Sequence, residues 1–400
     1  MKTGIFFLLL LYSFAGYAQK EVKPELEPYV NFLSENKFPS AKDYILKKFD
    51  SKDIVIISER DHRDLNQYEF IVDVIKDQNF KGHVYTEVGC SNNFKKINQF
   101  LLNSNLSQKE KEEELQAIFR DLDYWIIWDM YNYYFLLESI YEINQEREEK
   151  EKILLFPCDI EFVWEDFTCT AQYEMFDDYS EYGMIDRNVI MGKNFVEFYQ
   201  YAKRRNPDRS KALVIQNTYH GYIRIPTFLP NPNKPHIYST AEYIFKTYPD
   251  ITTNIYVNYF TQNFTYGLTN KGLFDASFQF TQIDNVGFDL KNTPFGNSKF
   301  DLYNFGGSDY AEVNFDYIFE GMIFYRPVAE MKFAEGIPGV YPEEYEKQFF
   351  QRLSMIDGIS YEEAVEEYTD YLNQINQLNY SSLPDSTKQQ IDDQIKFWLE

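Results

Sequence analysis

Two neighbouring stretches decide the fold class: residues 54–75 read IVIISERDHRDLNQYEFIVDVI, and residues 83–89 read HVYTEVG. The first opens with Ile54–Ile57 and the second with His83–Thr86, both short runs rich in branched or aromatic residues, as in buried strands. Between them, four apolar residues recur at helical spacing: Leu65, Tyr68, Val72 and Ile75. Strand, helix and strand in this order predict a βαβ unit.

The same alternation continues along the chain. Ile153–Phe156 and Ala212–Gln216 have the composition of two further strands, and the segment between them is apolar at helical spacing around residues 185–199. Trp125 to Ile143 is apolar on nearly all sides and predicts a long buried helix. We therefore expect an α/β fold with a mainly parallel, doubly wound sheet and a helical insertion near residues 94–150.

The alternation of strand and helix patterns ends at about Gly221. Four prolines within residues 226–235 predict an irregular loop, and we expect the segment Tyr222–Tyr238 to be a substrate-specificity element because it directly follows His220. Strand-like runs follow at three places: Thr253–Tyr259, Leu273–Phe280 and Tyr317–Phe324. Residues 342–400 have a helical pattern, so the expected organisation is a signal peptide at 1–18, an α/β domain at 19–341 and a helical C-terminal appendage at 342–400.

The first residues have the layout of an export signal. Lys2 supplies a positive charge, Ile5 to Tyr12 is an apolar run too short to span a bilayer, and Gly16 and Ala18 are the small residues of a cleavage site. Cleavage would leave Gln19 as the first residue. The absence of cysteine before Cys90 argues against a lipid anchor, so we expect a periplasmic or secreted protein with no membrane span.

Composition excludes some partners. The net charge of −24 argues against nucleic acid and anionic membranes, both of which need basic patches. Three cysteines, an odd number, argue against a disulfide scaffold. Three states remain open: a Cys90–Cys158 bridge, a Cys158–Cys169 bridge, or three buried thiols.

Polar residues follow each of the four predicted strands. In open α/β sheets, ligands bind outside the carboxyl ends of the strands, so these residues are expected to share one rim. Two of the chain's four histidines are among them. The residues concerned are Glu59 and His62, then Glu87, then Asp159, and finally Asn217 and His220.

A helical face adds to this set. Arg187 lies near the start of a predicted helix that leads back to the Ala212 strand, and Asn194 shares its face. A histidine beside a carboxylate can activate water, while a guanidinium can hold a developing oxyanion. The predicted catalytic residues are Glu59, His62, Glu87, Arg187 and His220, with Asp159, Asn194 and Asn217 in supporting positions.

Three motifs resemble those of the erythromycin esterase family and its relatives, which include ChaN-like haem-uptake lipoproteins and the Tiki and TraB proteins. The stretch at 54–89 resembles the family's strand with Gly-Glu-x-x-His, helix, and second strand ending in Glu, which assigns Glu59, His62 and Glu87. DRNVIMGKNFVEF resembles the helix that bears Arg187 and Asn194, and KALVIQNTYHGY resembles the late strand before His220. Ser58 replaces the usual Gly, and the adjacent His pair of the haem-uptake proteins is missing.

This resemblance implies an esterase-like hydrolase that needs no metal or other cofactor, and with the export signal the expected protein is an exported hydrolase of a small molecule or a peptide. In that reading His62 is the base, Glu59 and Glu87 orient it, and Arg187 and His220 stabilise charge on the substrate. Two alternatives stay open. One is a ChaN-like protein that binds a ligand, haem or a metal, and the other is a Tiki-like peptidase that depends on a divalent metal.

Overall fold

The computed structural model describes residues 23–126, 130–182, 184–224, 239–261, 267–301 and 313–400. Within these ranges the main sheet has seven strands in the order β3-β2-β4-β1-β5-β9-β8, all parallel except β8, which is antiparallel to β9. The strands of the main sheet are β1 Ile54–Glu59, β2 Gly82–Cys90, β3 Leu155–Asp159, β4 Lys211–Asn217, β5 Thr252–Val257, β8 Val286–Asp289 and β9 Gly321–Phe324. Two small antiparallel pairs are formed by β6 Phe260–Thr261 with β7 Gly267–Leu268, and by β10 Lys332–Glu335 with β11 Asn379–Ser382.

Helices cover both faces of this sheet. The α-helices are α1 Glu27–Glu35, α2 Ala41–Lys48, α3 Leu65–Lys76, α4 Phe94–Leu102, α5 Gln108–Arg120, α6 Tyr131–Gln145, α7 Thr170–Tyr182, α8 Met184–Arg205, α9 Thr240–Thr247, α10 Leu273–Thr281, α11 Pro294–Asn297, α12 Phe315–Ile318, α13 Glu343–Asp357, α14 Tyr361–Ile375 and α15 Asp385–Leu399. Short 3₁₀ helices lie at Ser91–Asn93, Glu149–Glu151, Trp164–Asp166, Pro207–Arg209, Thr218–Gly221, Thr269–Gly272 and Val328–Glu330. The doubly wound α/β fold expected from the sequence is confirmed.

Strand β1 makes clear why both faces are apolar. Val55 and Ile57 pack with α3 and α6, whereas Ile54 and Ile56 pack on the opposite face with α8 and α9. Successive side chains of a strand point to opposite faces, so a strand covered on both sides must be apolar at every position. All six residues of β1 are buried.

Three expectations about individual elements were wrong or too long. Leu273–Phe280 forms helix α10 instead of a strand, because Phe274 and Phe278 lie four residues apart and both face one apolar cluster. Their aromatic composition had favoured a strand. The run from Tyr317 contains the end of α12 before β9 begins at Gly321. The helix expected from Trp125 begins at Tyr131, and Trp125 is half-exposed.

The C-terminal region is helical, as expected, but it is built into the fold. Strand β11 pairs with β10, and α15 packs against α10 through Ile391 and Ile395. Because these contacts join the C-terminal region to earlier parts of the chain, the domain boundary expected between residues 341 and 342 stays a prediction. The signal segment 1–18 and residues 225–238 of the expected specificity loop lie outside the described residues.

The three cysteines are free thiols. Cys90 packs with the α3 and α6 side of the sheet, while Cys158 packs on the opposite side beside Tyr85. A bridge between Cys90 and Cys158 would have to pass through the sheet. Cys169 is exposed, so the thiols are not all buried either. In the part of the chain that the structure describes, no helix is both long and apolar enough to cross a bilayer.

Candidate functional site

The site lies along the carboxyl rim of four adjacent strands. Asp159 ends β3, Glu87 lies near the end of β2, Asn217 ends β4 and Glu59 ends β1. The strand register places these residues at the same end of the sheet, because Glu59 pairs with Asn217 and Cys90 pairs with Asp159. Parallel strands end on the same side of a sheet, so their last polar residues are brought together without any long loop.

His62 is held against Glu59 by the turn after β1, in which the Asp64 N–H donates to the Asp61 carbonyl at 3.0 Å. Its Nδ1 lies 2.9 Å from Glu59 Oε2, and Tyr68 donates a 2.6 Å hydrogen bond to Glu59 Oε1. The Glu59 side chain is 1 % exposed, whereas that of His62 retains 22 %. Burial disfavours the imidazolium, but the Glu59 carboxylate, helped by Glu87 and Asp61, outweighs it and raises the pKa of His62 to about 9.

Glu87 lies at the centre of the rim and accepts from several donors. The backbone N–H of Asn217 donates to Oε2 at 2.7 Å, and Oε1 lies 3.2 Å from His220 Nε2 and 3.6 Å from an Arg187 nitrogen. Burial alone would raise the pKa of Glu87. The positive charges of His220, His62 and Arg187 outweigh it and hold that pKa well below its ordinary value, so Glu87 is a carboxylate at neutral pH.

His220 is held between Asn188 and Glu87. Asn188 Oδ1 accepts from the backbone N–H and the hydroxyl of Thr240, at 3.0 and 2.9 Å, which identifies that atom as oxygen. His220 Nδ1 lies 2.7 Å from the same oxygen, while Nε2 faces Glu87. Both ring nitrogens thus face oxygen acceptors, and these two contacts fix the orientation of the imidazole ring.

Arg187 lies in the first turns of α8 and closes the other side of the site. Its Nε and one terminal nitrogen donate to the two oxygens of Asp159 at 2.9 and 2.7 Å, a bidentate geometry. Asn194 donates to the backbone carbonyls of Cys158 and Asp159 at 2.9 and 3.0 Å. It fixes the end of β3, and no contact of its side chain with the other predicted catalytic side chains is present among the described residues.

Asn217 connects the two halves of the site. Its Oδ1 accepts from the Tyr219 backbone N–H at 3.2 Å, so its amide nitrogen is the atom that lies 3.4 Å from His62 Nε2. The structure therefore brings together seven of the eight residues expected from the sequence through side-chain contacts. Of the other histidines, buried His83 accepts a hydrogen bond from the Leu154 backbone and serves the sheet, and His236 lies outside the described residues.

Sequence reasoning missed three residues of the site. Tyr68 is one of several apolar-face residues of α3, and Asn188 follows Arg187 without any distinguishing pattern. Asp123 lies in the turn after α5, where its carboxylate accepts from the Trp125 N–H at 3.2 Å. Burial, and then the nearby Asp159 carboxylate, raise the pKa of Asp123 to about 7. Asn188 and Asp123 carry no spacing signal, and the helical spacing of Tyr68 marks it only as a core residue, so the role of each in the site depends on tertiary packing.

One group of side chains has the composition of a metal site. Glu59, His62 and Glu87 each offer a ligand atom, and these atoms lie within 4.8 Å of one another. Two carboxylates and an imidazole suit a first-row divalent ion. Each carboxylate oxygen, however, already faces a protein donor, and the Arg187 guanidinium lies beside Glu87.

Comparisons with known proteins assign no family to this chain. No protein-family model and no curated protein matches the chain. A crystal structure of a Bacillus cereus protein is similar at 11 % identity and a TM-score of 0.42, over 74 % of this chain and 96 % of that one. A structure of ChaN from Campylobacter jejuni, described as binding haem cofacially, is similar at 12 % identity and a TM-score of 0.30, over 54 % of this chain and 86 % of that one. Neither similarity is close enough to bear on function.

Proposed function

We propose that this protein is a metal-independent hydrolase of ester-like bonds in which His62 activates water. The observation that supports this most is the 2.9 Å contact between His62 Nδ1 and the buried Glu59 carboxylate. A carboxylate on Nδ1 fixes the tautomer that keeps the lone pair on Nε2, the arrangement that a general base needs. The amide nitrogen of Asn217, 3.4 Å from Nε2, is placed to donate to that lone pair and so to orient the ring until the water takes its place.

Neutral His62 would take a proton from water while the water oxygen attacks the substrate carbonyl carbon. Arg187 and His220 would stabilise the charge that develops on the substrate, with Glu87 and Asp159 holding these two groups in place. The His62 imidazolium would then return its proton to the departing alcohol as the carbon–oxygen bond breaks. Glu59 and Glu87 are orienting groups in this scheme.

The raised pKa of His62 sets the pH dependence of the proposed reaction. With a pKa of about 9, only about 1 % of His62 is neutral at pH 7. Little of the base is therefore neutral at pH 7, and hydrolysis should rise close to tenfold per pH unit up to about pH 8 and level off above about pH 9. We expect an alkaline enzyme acting on a small-molecule or peptide ester.

The test is a screen with simple esters from pH 6 to 10, with and without chelator, on the wild-type protein and on His62→Gln. Asp73→Asn, an exposed carboxylate on α3, is the matched surface control. Activity that survives chelation, rises with pH and disappears in His62→Gln supports the proposal. A flat pH profile, or unchanged activity in His62→Gln, would refute it.

A second candidate is supported by the closeness of Glu59, His62 and Glu87, whose ligand atoms lie within 4.8 Å of one another. In that case the three residues hold a divalent ion, which would supply Lewis-acid chemistry for a peptidase, or the rim binds metal or haem without catalysis. Loss of activity on chelation favours the peptidase. Absence of hydrolysis together with tight uptake of metal or haem favours the binding protein.

Export remains part of the proposal. The predicted cleavage after Ala18 would release a periplasmic or secreted protein beginning at Gln19. N-terminal sequencing of the protein recovered from its natural compartment tests this. A start at Met1 in the cytoplasmic fraction would contradict it.

A further inference from the structure

A cavity outside the rim site lies between α10, α15 and the segment that follows β9. Its volume is about 400 Å³, within the size range of small-molecule sites. The walls are mostly apolar and include Phe278, Phe324, Val328, Ile391 and Ile395. Such a lining alone would suit any small hydrophobic molecule.

A buried carboxyl group makes the cavity selective. Asp275 borders it and is only 4 % exposed. Within the described residues, its carboxyl accepts a hydrogen bond only from its own backbone N–H. The cation that influences it, Arg60, is committed to Asp64 through a 2.8 Å Nε hydrogen bond and a second donor. A buried carboxyl group with a single backbone donor is incompletely hydrogen-bonded, which costs free energy, and burial raises the pKa of Asp275 to about 7.

Two aromatic rings form part of the apolar wall. Phe278 and Phe324 stack at a centroid distance of 4.0 Å with an interplanar angle of 16°, and both border the cavity. The cavity therefore combines an apolar wall with a buried acidic group.

We propose that this cavity binds a small apolar molecule carrying an ammonium group, with Asp275 as its counter-charge. The ammonium supplies the hydrogen-bond donors that the protein does not, and the apolar body fills the space between α10 and α15. A purely structural role for Asp275, in which it stabilises the first turn of α10 through the helix dipole, would not need a cavity beside it. This inference does not depend on the hydrolase proposal.

The test uses n-hexylamine and 1-hexanol, which match in length and differ in charge, titrated calorimetrically into the full chain at pH 8. We expect the amine to bind at least about tenfold more tightly than the alcohol. Asp275→Asn should abolish that preference. Asp284→Asn, which removes an exposed carboxylate from the lining of the same cavity, should keep it.

Three results would overturn the proposal: equal affinity for the two probes, no binding of either, or an amine preference that persists in Asp275→Asn. If Asp275→Asn fails to fold, the comparison of amine with alcohol on the wild-type protein still decides. Failure here would leave the ester screen unaffected, since that screen reads out His62.

Discussion

Replacing Glu59 by Gln should uncouple His62 from its counter-charge. The carboxylate at 2.9 Å is the chief influence that raises the pKa of His62 from 6.5 to about 9. That rise corresponds to about 3 kcal/mol of stability. Because the folded-state pKa lies above the unfolded value, this stability is fully present below about pH 6.5 and is lost as the pH rises through about 9. In Glu59→Gln the pKa of His62 should fall to 6.5 or below, since burial then dominates.

Two measurements check this without any substrate. Titration of the imidazole NMR signals is practical because the chain has four histidines. Urea unfolding should give a loss of about 3 kcal/mol in Glu59→Gln at pH 6 that becomes small by pH 10. Asp61→Asn, which removes a weaker neighbouring charge, should move the pKa of His62 much less. A wild-type His62 that titrates near 6.5 and does not respond to Glu59→Gln would refute the electrostatic reasoning.

Further predictions concern the groups around this pair. Asp159→Asn should cost roughly 3 kcal/mol in denaturant unfolding, because it leaves the Arg187 charge without its bidentate partner; a cost below about 1 kcal/mol would mean that Glu87 alone suffices. Asn188→Leu should lower the rate of ester hydrolysis by removing the acceptor of His220 Nδ1, whereas Asn188→Asp should retain most of it; equal rates in the two variants would argue against a positioning role. Gly89→Ala should destabilise the fold by more than about 1 kcal/mol, because φ is +97° and a Cβ would lie 3.0 Å from Pro157, and an unchanged melting temperature would contradict this.

The sequence was most informative where one local rule decides the outcome. The ends of the strands at Glu59, Asp159 and Asn217 follow from short apolar runs that give way to polar residues, and the parallel topology places those ends on one rim. Local pattern and tertiary arrangement agree there. The shared rim, and with it most of the candidate site, could therefore be predicted from the sequence.

Elsewhere the decisive interactions are between distant segments. The aromatic run at Leu273–Phe280 is compatible with a strand or a helix, and only the cluster into which Phe274 and Phe278 pack selects the helix. Cys90 and Cys158 lie in the last residues of neighbouring strands, but which face each thiol occupies depends on the irregular register between Thr86 and Cys90. The acceptor role of Asn188 requires Thr240, which lies 52 residues further along the chain.

The position of β4 between β1 and β2 has a consequence for how the chain reaches its native state. Glu59 and Glu87 belong to strands that do not touch each other, and both are joined to the site through β4 and the turn after it. During synthesis, β1 and β2 emerge long before residue 211, so their facing edges stay unpaired until β4 inserts between them. Pairing at such separation is slow, which makes this insertion a late folding event. The rim should therefore assemble into a complete site only at the end of folding. A nascent chain halted before residue 217 would contain both carboxylates without a site.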